Sequence, residues 1–147
     1  MLSAGAAFHV AVELDTPHGM SYGAAALAML SALEPQEIDT VLSGEDGSGS
    51  PRALLFEVLA GIRRSGYAVG HDERISDAVE IAAPFCDVSG RMTGALSAAI
   101  PMASFDADDE PFMSRMVIAH ARLLSERLGD TGRRGERRRV KDWSLKA

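Results

Sequence analysis

Apolar and polar positions alternate over residues 7–14, with Phe8, Val10, Val12 and Leu14 on one side and His9, Ala11 and Glu13 on the other. That period of two predicts a half-buried strand. Asp15-Thr16-Pro17-His18-Gly19 ends it with turn-forming residues. Ser21 suits the cap of an Ala-rich helix running to about Leu33, with bulk from Leu27, Met29, Leu30 and Leu33. Pro35 fits the first turn of a short second helix carrying Ile38, Val41 and Leu42.

Residues 44–50 have the composition of a flexible loop, and Ser50-Pro51 restarts a helix. In that helix Leu54, Leu55, Val58, Leu59 and Ile62 form an apolar stripe, expected to be buried. Arg63 and Arg64 complement the negative end of its dipole, and Gly66 stops it. A short strand leads into the acidic loop around Asp72-Glu73, and strands over 79–86 and 92–100 follow, joined by the turn Asp87-Val88-Ser89-Gly90. A last helix, from about Asp108 to Leu128, is expected to bury Met113, Met116, Val117, Ala121, Leu124 and Leu128. Together these elements predict an α+β fold, an antiparallel sheet with helices against it.

Parity along the two long strands separates bulk from emptiness. Val79, Ile81, Ala83 and Phe85 share one face, and Met92, Gly94, Leu96, Ala98 and Ile100 share another. These bulky sides are expected to pack helices. Glu80, Ala82, Pro84 and Cys86, with Thr93, Ala95, Ser97 and Ala99, form the complementary sides, trimmed to small residues with one carboxylate and a few hydroxyls. Such a face leaves volume of the kind a small ligand needs. An open solvated face or a dimer contact would explain the same composition.

Composition narrows the function. At 147 residues the chain suits one domain with one core, and no run approaches the ~20 apolar residues of a membrane span. Cys86 is the only cysteine, so no internal disulfide is possible, which fits a reducing cytoplasm. Residues 133–147 hold seven Lys or Arg against Glu136 and Asp142, a net +5, leaving −11 on the rest of a chain whose total is −6. An acidic body repels nucleic acid, and only the basic tail could touch phosphates. The expected division is a domain over 1–129 and a flexible basic tail over 130–147.

Catalytic chemistry finds little support. Cys86 has no nucleophile signature with His71 or His120, and Asp106, Asp108, Asp109 and Glu110 read as the charged first turn of the last helix. His9, His18, His71 and His120 lack metal-ligand spacing, and no phosphate loop or dinucleotide glycine pattern occurs. No cofactor or metal is therefore expected. The opening of the helix near Ser21 presents free backbone N–H groups suited to a carboxylate.

The order of these pieces resembles the effector-binding domain of the IclR family of bacterial transcription regulators. The resemblance runs from about Phe8 to Leu128. It is carried by 66–74, by 79–86, by the Asp87–Gly90 turn and by 91–101, with Leu96-Ser97-Ala98-Ala99-Ile100-Pro101 as the penultimate strand. His18-Gly19-Met20-Ser21-Tyr22-Gly23-Ala24-Ala25 resembles the helix-opening segment, with Ala24 in place of the family's lysine, and Leu33 to Ile38 resembles the short acidic helix start.

The resemblance implies a GAF-like antiparallel sheet flanked by helices that binds a small organic metabolite and self-associates as a homo-dimer or homo-tetramer. It places the amides of Ser21 and Tyr22 on a ligand carboxylate and lines the pocket with Gly70, Glu80, Ser97 and Ala99. Gly70 stands where the family often has Asp, Ala99 where it often has Ser, and Asp77 where it usually has Gly. An ionised Glu80 would repel a ligand carboxylate, so a hydroxylated, amine-bearing or neutral compound also fits. The family's winged helix-turn-helix and two further strands do not fit in the seven residues before Phe8, so the expectation is a cytoplasmic fragment, truncated gene product or stand-alone sensor without sequence-specific DNA binding of its own. Two other readings stay open: a structural dimerisation module with a degenerate pocket, and a small enzyme using Glu80 or His71.

Overall fold

The computed structural model describes residues 19–20, 22–43, 52–73 and 75–129. The strand expected over 7–14, Ser21 and the basic tail lie outside them. Four α-helices and one three-stranded sheet make up the described fold, in the order α1 (Ala24–Ser31), α2 (Pro35–Leu42), α3 (Arg52–Ser65), β1 (Ala68–His71), β2 (Ala78–Cys86), β3 (Met92–Pro101) and α4 (Glu110–Arg127). This is the expected α+β arrangement. Among the described residues no helix is long and apolar enough to cross a membrane.

The sheet is antiparallel with order β1-β2-β3. The β2–β3 turn forms because the Asp87 carboxylate accepts from the Ser89 amide and hydroxyl and from the Arg91 amide, while Gly90 takes a φ of +75°. Those donors, the Ser89 hydroxyl first, hold the Asp87 carboxyl below its ordinary pKa. Pro84 is tolerated in β2 because β1 pairing ends at Ala82, leaving the strand one neighbour there among the described residues. Phe85 lies over its strand partner Gly94, so close that a Cβ on Gly94 would meet the ring at 2.7 Å.

Both faces of the sheet are covered. α4 packs on the bulky face, joining Val117 and Ala121 to Ile81 and Ala83, with Phe85, Leu96, Ala98 and Ile100 around them. The small-residue face is not open, contrary to the expectation that bulk alone marks the helix-packing side. α1 lies on it, and Ala24 and Ala28 share a core with Ala68, Ala82, Leu30, Ile38, Leu59 and Ile62. Alanine against alanine lets helix and sheet approach closely, so much of the trimming serves packing.

Three helical expectations need correction. α1 starts three residues after Ser21, because Gly23 takes a φ of +89° that breaks the helical path ahead of it. In α3 Leu59 and Ile62 are buried, but Leu54 is 50% exposed and Val58 is also exposed. The stripe read there was wider than the face the core can cover. Met116 in α4 and Leu128 just after it are exposed, while Ser114 and Ser125 are buried in their stead. Ser125 earns its place by bonding, since its hydroxyl accepts the Cys86 amide at 2.9 Å and donates to the Ala121 carbonyl at 3.1 Å.

Candidate functional site

Strand register decides which side chains meet. Gly70 pairs with Glu80 and Glu80 with Ala99, so the three form one row across the sheet. Ala68, Ala82 and Ser97 form the next row on the same face. Four of the expected site residues, Gly70, Glu80, Ser97 and Ala99, thus share the face that carries α1. Ser97 is exposed at the β3 edge, Ala99 is half-buried, and Gly70 is buried. Tyr22 lies just before α1 with its side chain half exposed, and Ser21 falls outside the described residues.

The amino end of α1 arrives over the Gly70 row. A Cβ at Gly70 would stand 3.3 Å from the Ala24 nitrogen and 3.2 Å from a Glu73 carboxylate oxygen. Glycine there permits the approach. The amides of Ala24, Ala25 and Ala26 lie ahead of the helix's own hydrogen-bond ladder, and no side chain caps the helix from its N-cap position. Glu73 reaches in from the β1–β2 loop instead, accepting the Gly23 amide at 2.8 Å. Sequence reading missed this contact, since fifty residues separate the partners.

Glu80 is the unusual member. It is 7% exposed, and among the described residues its carboxylate has no hydrogen-bond or ion-pair partner. No described buried side-chain oxygen is sealed off without a partner, so the Glu80 head keeps an opening. Burying a carboxylate without a counter-group is costly, so such groups are kept where a partner is to be met.

The β1–β2 loop that carries Glu73 is built on two aspartates in the left-handed region, Asp72 at φ 52° and Asp77 at φ 56°. The Asp77 amide donates to the Asp72 carboxylate at 2.7 Å, and the Met102 amide donates to the Asp77 carbonyl at 2.8 Å. Asp77 therefore holds a left-handed backbone of the kind glycine adopts most readily. His71 points to the opposite face, edge-on to Phe105 with ring centres 6.2 Å apart, so it and Glu80 do not form a dyad. His120 Nδ1 bonds the Met116 carbonyl within α4. Among the described residues no cluster of His, Cys, Asp or Glu could hold a metal.

A separate apolar groove of about 260 Å³ lies on the α4 side, lined by Leu96, His120, Leu123, Leu124 and Arg127. It shares no residue with the Glu80 site.

Comparison with known proteins follows the fold. The sequence signature of the bacterial transcriptional regulator IclR C-terminal family matches residues 20–126. Among solved structures, the Agobacterium tumefaciens repressor BlcR is similar with a TM-score of 0.65 and 23% identity, over 75% of this chain and 47% of that one. Pseudomonas aeruginosa HmgR is similar with a TM-score of 0.68 and 21% identity, over 86% and 52%. The C-terminal domain of the E. coli transcriptional regulator KdgR gives 0.65 and 22%, over 75% and 71%. The chain spans about half the length of the first two, and at these identities the likeness is one of fold. No curated protein sequence matches the chain. The chain belongs to the family of bacterial transcriptional regulator IclR C-terminal domains.

Proposed function

We propose that residues 1–129 form a small-molecule effector-sensing and self-associating domain of an IclR-type transcription regulator, with 130–147 as a basic tail, acting in the cytoplasm without catalysis. The pocket lies between the amino end of α1 and the Gly70–Glu80–Ala99 row, with Ser97 at the β3 edge and Tyr22 ahead of the helix. The carrying observation is Glu80, buried and without a partner among the described residues on a row of small side chains. A thermal-shift screen of small catabolites tests it, because a ligand that binds only the folded state raises Tm. Ala99→Leu fills the row and should abolish any such shift. Ligand shifts that survive Ala99→Leu, or a complete absence of shifts, would count against this pocket.

Self-association has separate support. Phe112, Met116 and Leu123 are exposed along α4 at positions that fall on one side of the helix. Light scattering at micromolar concentration should give a dimer or tetramer, and Met116→Glu should reduce it to monomer. A monomeric wild-type chain refutes this part alone.

A further inference from the structure

The amino end of α1 is the natural seat for a ligand carboxylate, but the chain already puts one there. Glu73 accepts the Gly23 amide at 2.8 Å, and its oxygen lies 3.2 Å from where a Gly70 Cβ would stand. Glu80 is the direct strand partner of Gly70, and directly opposed Cβ positions are about 5 Å apart. The Glu73 carboxylate thus lies within roughly 9 Å of the Glu80 Cβ, on the same side of the sheet. Two carboxylates stand near one another on the face that carries the amino end of α1.

No described cation answers them. Arg63 donates to the Ser31 and Leu33 carbonyls, Arg64 is exposed in the last turn of α3, and Arg52 pairs with Asp39. Arg91 stands beside Asp87, and Arg115, Arg122 and Arg127 belong to α4 on the other face. His71 also faces away, against Phe105. A helix end supplies about half a unit of positive charge, and two carboxylates outweigh it. Glu80's own row offers Gly70 and Ala99, neither with a side-chain donor, and the next row offers Ala68, Ala82 and one neutral donor, the Ser97 hydroxyl at the exposed β3 edge. Among the described residues, a simple organic acid entering here meets net negative charge and finds the Gly23 amide already taken by Glu73.

We propose that the ligand of this site carries a cationic nitrogen, a primary amine or an amidine-type group, seated on the Glu80 carboxylate with Glu73 at the rim. This rests on the reading of the Gly70–Glu80–Ala99 row as an effector pocket. Glu80 is then unpartnered because its partner is the ligand. The uncapped amides of Ala24 to Ala26 remain for a neutral acceptor, such as a hydroxyl or carbonyl oxygen, elsewhere on the same molecule.

Four compounds of equal length separate charge from shape: 1,4-diaminobutane, 4-aminobutanoate, 1,4-butanediol and succinate. Each is tested on the full chain by thermal shift and calorimetry, in the wild type and in the Glu80→Gln and Ala99→Leu variants. The diamine should raise Tm and bind at least about tenfold more tightly than succinate, given the size of a close charge contact at intermediate dielectric. Glu80→Gln, which keeps shape and removes charge, should erase that preference while retaining the wild-type circular dichroism spectrum. Binding of succinate that exceeds binding of the diamine and is lost in Ala99→Leu overturns the ligand class and leaves the pocket standing. Diamine binding unchanged by Glu80→Gln overturns the class too, since it then reflects the acidic surface. No amine response at all overturns the class, while the wider catabolite screen with Ala99→Leu decides the pocket by itself.

Discussion

Adding one methyl group at Gly94 tests the packing under α4. The new Cβ would lie 2.7 Å from Phe85 Cζ and 3.0 Å from Cε1, against an optimum of about 3.5–4.0 Å between carbons. The ring must retreat by about 1 Å, and Phe85 packs against the core formed by Ile81, Ala83, Val117 and Ala121. Overpacking of this kind costs about 1–3 kcal/mol. Removing a strand glycine gains less, since the whole β-propensity range spans about 1 kcal/mol. Gly94→Ala should therefore destabilise, with Tm falling by roughly 2–4 °C per kcal/mol in a chain of this size. Phe85→Leu removes the distal ring atoms, so Gly94→Ala in that background should be neutral or mildly stabilising. Urea unfolding followed by circular dichroism gives the four stabilities of the cycle, and a coupling of at least about 1 kcal/mol is expected. Additive single effects, or a stabilising Gly94→Ala in the wild type, would refute the ring-over-glycine geometry.

Glu73→Ala removes the acceptor of the Gly23 amide and should cost about 0.5–2 kcal/mol, as for loss of a helix cap, measured by the same unfolding assay. Asp87 has a folded pKa below its unfolded value, so its contribution is present above the unfolded value and is lost as pH falls through the folded one. Asp87→Asn should accordingly flatten the acid limb of stability against pH without altering it near pH 7 to 8 beyond a constant offset. For DNA, a gel shift with competitor at physiological salt should show no sequence-selective complex of this chain, and any low-salt association should vanish when 133–147 are deleted.

The sheet was legible because strand parity is a strict rule: alternation in 79–86 and 92–100 places Glu80 and Ser97 on one face, and the register has them there. The Asp87–Gly90 turn was legible because its chemistry is local. The helical stripes were less so, since Leu54 and Met116 satisfy a periodicity that says nothing of how wide a face the core covers. The trimmed strand faces were half understood. Small residues signalled closeness to something, but the sequence offers no means to tell an alanine that admits α1 from one that borders a pocket. Glu73 was illegible, because a loop carboxylate becomes a helix cap only when the fold brings residue 23 to residue 73.

The two ends of α1 have a consequence for how the chain assembles. Eight residues, seven of them Ala, Leu or Met, make a helix too short to persist alone in water. Its amino end is held by Glu73 from beyond β1, and its other end by Arg63 from α3, which donates to the last carbonyl, that of Ser31, at 2.6 Å and to that of Leu33 just beyond at 2.8 Å. Neither partner is near in sequence. The hairpin of β2 and β3, closed by its own turn, can order on local contacts, whereas α1 must wait for α3 and the β1–β2 loop to be in place. It is thus expected to order late in folding. A stimulus that shifts the β1–β2 loop would act on α1 through the Glu73–Gly23 contact, fifty residues apart in the chain.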